Sequence, residues 1–331
     1  MKPSLLPFLA CPDCGADLAL ERREMDGDEV IEGSLSCHGC RHTWGIQAGV
    51  PRFATAVEHE ASARTAVAFG WEWNRFSELD TRYRRQFLDW IRPVDAGFFR
   101  GKTVLEGGCG KGRHTALAAD FGARAVVALD LSDAVDAAWR NTRHLPAAHV
   151  VQGDILRPPV KAVFDYVFSV GVLHHMPVPE EGFRALVSKI RPGGHVSAWV
   201  YGREGNGWIV HLLNPVRERV TSRLPHRVLD VVAALVTVPL WLVTKLVYGP
   251  TGGRLGQRTL PYGPYLSYIA VFPFLEQRTI VFDHLVAPVA FYLRRDEFAG
   301  WFERAGLEEV SIEHHNANSW RGFARVPAEI A

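Results

Sequence analysis

Between residues 102 and 201, five short apolar runs rich in β-branched residues alternate with helical patterns: "TVLEGG", "AVVALDLS", "HVVQGD", "FDYVFSVG" and "HVSAWVYG". That alternation constrains the fold most, because strand–helix–strand repetition implies a parallel sheet covered by helices on both faces. Ligands of such sheets sit outside the carboxyl ends of the strands. The first of those ends reads "VLEGGCGKGRHT" over residues 104–115, where Glu106 is followed by glycines at 107, 108, 110 and 112.

Two familiar glycine turns do not fit. A dinucleotide fingerprint would need a third glycine where Arg113 stands, and a P-loop needs Ser or Thr where Gly112 follows Lys111. A carboxylate at the strand end suits a cationic ligand rather than a pyrophosphate. The amino group and sulfonium of S-adenosylmethionine meet that description, and bare glycines let the backbone approach closely.

The stretch "VLEGGCGKG" resembles motif I of the class I S-adenosylmethionine-dependent methyltransferases, and later motifs follow at family spacing. The resemblance covers 102–201 and resumes over 294–326. It implies a Rossmann-like α/β fold with a seven-stranded sheet. The cofactor-binding residues it implies are Glu106, Gly107, Gly108, Gly110 and Gly112 in the first turn. Asp130 with Leu131 would hold the ribose hydroxyls, and Asp154 with Ile155 the adenine. Ser169 belongs to "FDYVFSVGVLHHMP", which resembles motif IV.

Cys11-x-x-Cys14 and Cys37-x-x-Cys40 form two knuckles, and four thiolates suit a closed, structural zinc. The surrounding sequence resembles the Trm112-like zinc ribbon fused to bacterial methyltransferases. His38 and His42 read as surface residues, and Cys109 as a small packing residue. The expected organisation is a ribbon over 1–55, a helical cover over 56–100 and a cofactor-binding core over 101–205. A helical insertion after strand five then spans 206–285, and the rest of the core spans 286–331.

Methyl transfer leaves the protein to position an acceptor and remove a proton. A neutral imidazole suits that task, so His174 and His284 are the catalytic candidates. Trp73, His175, Tyr201, Arg203 and Asp283 are expected to line the acceptor pocket. Trp71 and Phe76 read as core. Asp283 and His284 are adjacent, so both can face a pocket only if "FDHLVAP" is a loop.

Within the insertion, "VLDVVAALVTVPLWLVTKLVYG" (228–249) has an uncharged middle of only 14 residues, which reads as too short to span a bilayer. Residues 211–258 carry seven basic and two acidic side chains against a whole-chain net charge of +1. Apolar plus basic suggests a lid, with peripheral membrane contact and a homodimer interface as further uses. The expected activity is methyl transfer to a small or lipid-linked acceptor, at oxygen. The alternatives are tRNA or protein methylation, or a non-catalytic cofactor-binding module. The near-neutral charge gives no strong nucleic-acid signal. Five cysteines without a recognisable signal peptide suggest a cytoplasmic protein, peripheral at the inner membrane face.

Overall fold

The computed structural model describes residues 1–53, 60–250, 260 and 262–328. At its start, Leu18, Val30, Leu35, Trp44 and Ile46 bury one side of a small antiparallel sheet. Its strands are β1 (Leu18–Asp26), β2 (Glu29–Cys37), β3 (Thr43–Gln47) and β4 (Val50–Pro51), paired in that order. The last six residues of β1, "ERREMD", are exposed and mostly polar, as suits an edge strand.

Two helices follow, α1 (Glu60–Arg75) and α2 (Tyr83–Trp90). The expected cover began at 56, but residues 54–59 lie outside the described residues.

The five runs predicted as strands are all strands. They form β5 (Thr103–Gly107), β6 (Ala125–Asp130), β7 (Ala148–Gln152), β8 (Phe164–Val170) and β9 (Ile190–Tyr201). Helices α3 (Arg113–Asp120), α4 (Val135–Thr142) and α5 (Pro179–Val187) connect them. Two further strands, β10 (Glu308–His315) and β11 (Ser319–Arg325), complete a seven-stranded sheet in the order β10-β11-β9-β8-β5-β6-β7. Only β11 runs against the others. Every residue of β5 is buried, and so are Ala125–Leu129 of β6. Burial on both faces explains why these strands read as continuous apolar runs rather than alternating ones.

The ribbon is not a loosely tethered bead. It docks on the open β7 side of the large sheet, where Phe53 N donates to Gln152 O at 2.8 Å, Ala10 N to Pro159 O at 3.0 Å and Lys161 N to Phe8 O at 2.9 Å. Arg52 adds bonds to Asp136 at 2.6 Å and to Gln152 at 3.1 Å. Leu5, Leu9, Leu35 and Trp44 join Leu129, Val151 and Phe164 in one apolar core.

The insertion after β9 is helical. It contains α6 (Asn214–Arg219), α7 (His226–Val243), α8 (Gly263–Ile269) and α9 (Phe274–Val286), and α10 (Arg295–Arg304) then returns to the core. Leu229, Ala233 and Thr237 recur every four residues and form the buried stripe of α7, which packs on α9. The opposite stripe is apolar as well: Leu235 is 68% exposed and Leu246 71%. The expectation that this stretch is too short to span a bilayer is corrected by the helix itself. A π-helical turn over Thr244–Tyr248 continues α7, so 23 consecutive residues are long and apolar enough, by length and composition, to cross a membrane. Residues 251–259, with Arg254 and Arg258 of the basic excess, lie outside the described residues.

Candidate active site

One cavity of about 700 Å³ opens between the carboxyl ends of β5, β6 and β8, the cover helices and the insertion. Clefts that hold small ligands span about 300–1,000 Å³. At its floor, the chain leaves β5 through Gly108 (φ +83°), Gly110 (φ +50°) and Gly112 (φ +80°) before α3 starts. Glycine adopts those left-handed angles without steric cost. At Gly108 the space is closed as well, since a Cβ would sit 2.3 Å from Val172.

Asp130 ties the second strand end to this turn. Its Oδ2 accepts from Gly110 N at 2.8 Å, and its Oδ1 from Ser132 N at 2.9 Å and Ser132 Oγ at 2.6 Å. Burial still pushes its pKa up. Gly108, Gly110, Asp130, Leu131, Asp154 and Ile155 all line the cavity. Backbone without side chains, a carboxylate for paired hydroxyls and a second carboxylate beside Ile155 match the chemistry of an adenosyl sulfonium. S-adenosylmethionine fits the residues present.

The remaining expected cofactor residues stand behind the wall. Glu106 is not among the residues that line the cavity and accepts from Thr115 Oγ1 at 2.5 Å, with His114 Nδ1 3.4 Å away. Its complete burial raises its pKa to about 8. Burial also holds His114 far below its usual range, so this contact is not an ion pair. Ser169 Oγ donates to Gly107 O at 2.8 Å and so braces the turn. Gly112 caps α3. These residues shape the site without facing it.

The acceptor side holds Trp73, His175, Tyr201, Asp283 and His284, all in the cavity wall. Three corrections apply here. His174 is fully buried outside the cavity, with neither ring nitrogen hydrogen-bonded and its ring 4.0 Å from that of Tyr201. Arg203 is exposed at the surface and does not line this cavity. Asp283 and His284 share the wall from a helix, α9, rather than from a loop. On a helix, neighbours point only about 100° apart, so both can reach a wide cavity. Burial lowers His284 to about 4 and His175 to about 3, and it holds His174 well below the usual imidazole range. Such imidazoles stay neutral but accept protons poorly.

Sequence reading passed over several neighbours. Lys111 reaches back to Phe76 O at 2.7 Å and locks the cover to the glycine turn. Its pKa falls to about 8 through burial and the charge of Arg113. Glu72 on α1 is fully buried with both oxygens unbonded, and burial with Asp283 nearby raises its pKa well above the usual range. Lys111 and Arg113 stood in the quoted glycine turn, and Glu72 between Trp71 and Trp73, but nothing local announced their partners. Trp71 and Phe76 are core, packed on Phe282.

In the ribbon, the four cysteine sulfurs lie within 4.8 Å of one another. Cys11 and Cys40 are 3.6 Å apart, and Cys14 and Cys37 3.4 Å. Four ligands at zinc–sulfur bonds of about 2.3 Å stand about 3.8 Å apart in a tetrahedron. Asp13 N donates to Cys11 Sγ, and Gly39 N and Cys40 N donate to Cys37 Sγ, which favours thiolates. The donor set fits a structural zinc. His38 and His42 are exposed, and His42 pairs with Asp13 at 2.5 Å.

Comparison with known proteins agrees with both parts. A family model described as a methyltransferase domain matches residues 105–198, and one described as Trm112p-like protein matches 2–49. The chain thus carries an S-adenosylmethionine-dependent methyltransferase domain of class I, preceded by a Trm112-like domain. Among curated proteins it is 32% identical over 127 residues to the tRNA U34 carboxymethyltransferase of Pseudoalteromonas translucida, covering 36% of this chain and 38% of that one. The Pseudomonas aeruginosa protein of the same name is 31% identical over 160 residues, covering 44% and 49%. The chain therefore spans less than half the length of the curated relatives it matches. A solved complex of the Haloferax volcanii Trm112 methyltransferase activator with its putative methyltransferase aligns at a TM-score of 0.44 and 15% identity. That alignment covers 82% of this chain and all of that one.

These relatives overturn two expectations. They are named for tRNA, not for a small or lipid-linked acceptor, and they run against the reading of no strong nucleic-acid signal. The membrane contact expected through 211–258 from its apolar and basic character finds no support in these relatives.

Proposed function

We propose that the chain transfers a methyl group from S-adenosylmethionine to a nucleobase of tRNA. The observation that carries the reading is a single cavity in which the glycine turn and an aromatic wall face one another. Trp199, Tyr201, Tyr265 and Tyr292 supply flat rings there. Enzymes that modify a base take it out of its stack and hold it against such rings. The tRNA-directed names of the relatives support the choice of acceptor.

Within this reading Gly108 and Gly110 bring bare backbone to the donor, Asp130 receives its ribose hydroxyls, and Asp154 with Ile155 receives its adenine. The donor, when bound, supplies an electrophilic methyl carbon. The protein orients the acceptor and excludes water from the cavity. Glu106, Ser169 and Lys111 keep the turn rigid. A tRNA substrate places the enzyme in the cytoplasm.

The test is transfer of isotopic label from S-adenosylmethionine into a host extract separated into tRNA, protein and small-molecule fractions. Label in tRNA nucleosides supports the reading. Label confined to the other fractions refutes it.

A further inference from the structure

We propose that Asp283, rather than any of the histidines, is the catalytic residue that binds the acceptor's N–H or O–H and takes its proton. This rests on the methyl-transfer reading above but not on the acceptor being tRNA.

The geometry sets Asp283 apart. It projects from α9 into the same cavity as the glycine turn, and among the described residues no hydrogen bond is made to its carboxylate. A buried carboxylate without a donor is costly to keep unless something else supplies one. The phenols of Tyr201 on β9, Tyr265 on α8 and Tyr292 lie within its electrostatic reach and wall the same space. A planar ring held between those faces would present its edge to the Asp283 carboxylate.

The charges around Asp283 come from every packed element. On α1, burial and the charge of Asp283 together hold Glu72 in its neutral, protonated form. Arg113, at the start of α3, and Arg217 on α6 attract it. Lys111 beside the turn completes the set, facing Glu72. Arg217 is 1% exposed, and neither its Nε nor its Nη2 is hydrogen-bonded. The neighbouring His174, His175 and His284 are neutral and poor proton acceptors. Burial raises Asp283 to about 6 against the pull of both arginines, so it is ionised at neutral pH and basic enough to accept a proton.

The step balances without another reagent. The acceptor's nitrogen or oxygen forms the bond to the methyl carbon, and the carbon–sulfur bond breaks with its electron pair left on sulfur. The acceptor's proton passes to Asp283. The positive charge of the sulfonium and the negative charge of the carboxylate are both discharged.

The experiment compares the full chain with Asp283→Asn and Asp283→Glu, using labelled S-adenosylmethionine and the fractionated extract. Asp283→Asn is expected to keep its affinity for S-adenosylhomocysteine and lose about 100-fold or more of the transfer rate, with partial recovery in Asp283→Glu. The wild-type rate should rise with pH up to about 6 and then level off. A second readout needs no acceptor. Because folding raises this carboxyl above its unfolded range, Asp283→Asn should melt with the wild type near pH 4 and above it at pH 7.5.

Transfer by Asp283→Asn within threefold of wild type overturns the inference. So does a variant that melts below wild type at every pH, which would make Asp283 structural. Label that enters another fraction and is lost in Asp283→Asn sinks the tRNA reading and leaves Asp283 standing. No label from the wild type in any fraction overturns both.

Discussion

Glu106 shows how a residue's type can be legible in sequence while its partners are not. Its place at the strand end was legible, because a carboxylate before four glycines is a local pattern. Its bonding was not, since Thr115 and His114 come within reach of its carboxyl only once α3 is in place. The same holds for Asp283 and His284. The segment 274–286 lies between Pro273 and Pro288, a helix-bounding pair that outweighs the apolar run inside it. Glu106 also yields a pH test. Its folded pKa of about 8 lies above the ordinary carboxyl range, so its contribution to stability is complete below about pH 4.5 and is lost as pH rises toward 8. Melting of the ligand-free protein at pH 5 and pH 8.5 should show Glu106→Gln losing less stability over that interval than wild type, by a few kcal/mol. Equal losses would mean that Glu106 is already ionised in the folded protein.

Two elements bear the clearest structural predictions. The ribbon was legible almost whole, because four cysteines at knuckle spacing need little else to specify them. Its docking on β7 was not, since Phe53, Ala10 and Arg52 meet residues about 100 or more positions away. Cys14→Ser should abolish the bound zinc, measured by metal analysis of the purified chain, and lower the melting temperature of the whole protein. Loss of zinc with no change in melting would mean that the shared core does not need the metal. In the insertion, counting uncharged residues misjudged α7 because its flanking charges are used internally. Lys245 Nζ donates to Ala270 O at 2.5 Å, and Asp230 pairs with Arg278 and Arg75. The two stripes of this helix should respond differently to truncation. Leu229→Ala, on the buried stripe, is expected to cost about 2–5 kcal/mol in denaturant unfolding. Leu235→Ala, on the exposed stripe, should stay within about 0.5 kcal/mol. Similar costs at both sites would mean that the outer stripe is covered in solution.

Across the whole molecule, the layered sheet and the cavity's position at its strand ends follow from strand–helix alternation, whereas the partner does not follow from total charge. A net charge of +1 averages a basic insertion against a net-negative remainder, so it hid the feature that a polyanion would meet. Arg219, Arg223 and Arg227 are exposed at the start of that insertion, while Arg217 of the same stretch is turned inward. Phosphate contacts release counterions, and each contact steepens the fall of affinity with salt. If tRNA crosses this face to reach the cavity, Arg219→Gln, Arg223→Gln and Arg227→Gln together should weaken its binding at low salt. The slope of log affinity against log salt should flatten by about 2–3, while affinity for S-adenosylhomocysteine stays unchanged. An unchanged slope would place the tRNA on another face and leave the exposed arginines as solubilising charge beside an apolar helix.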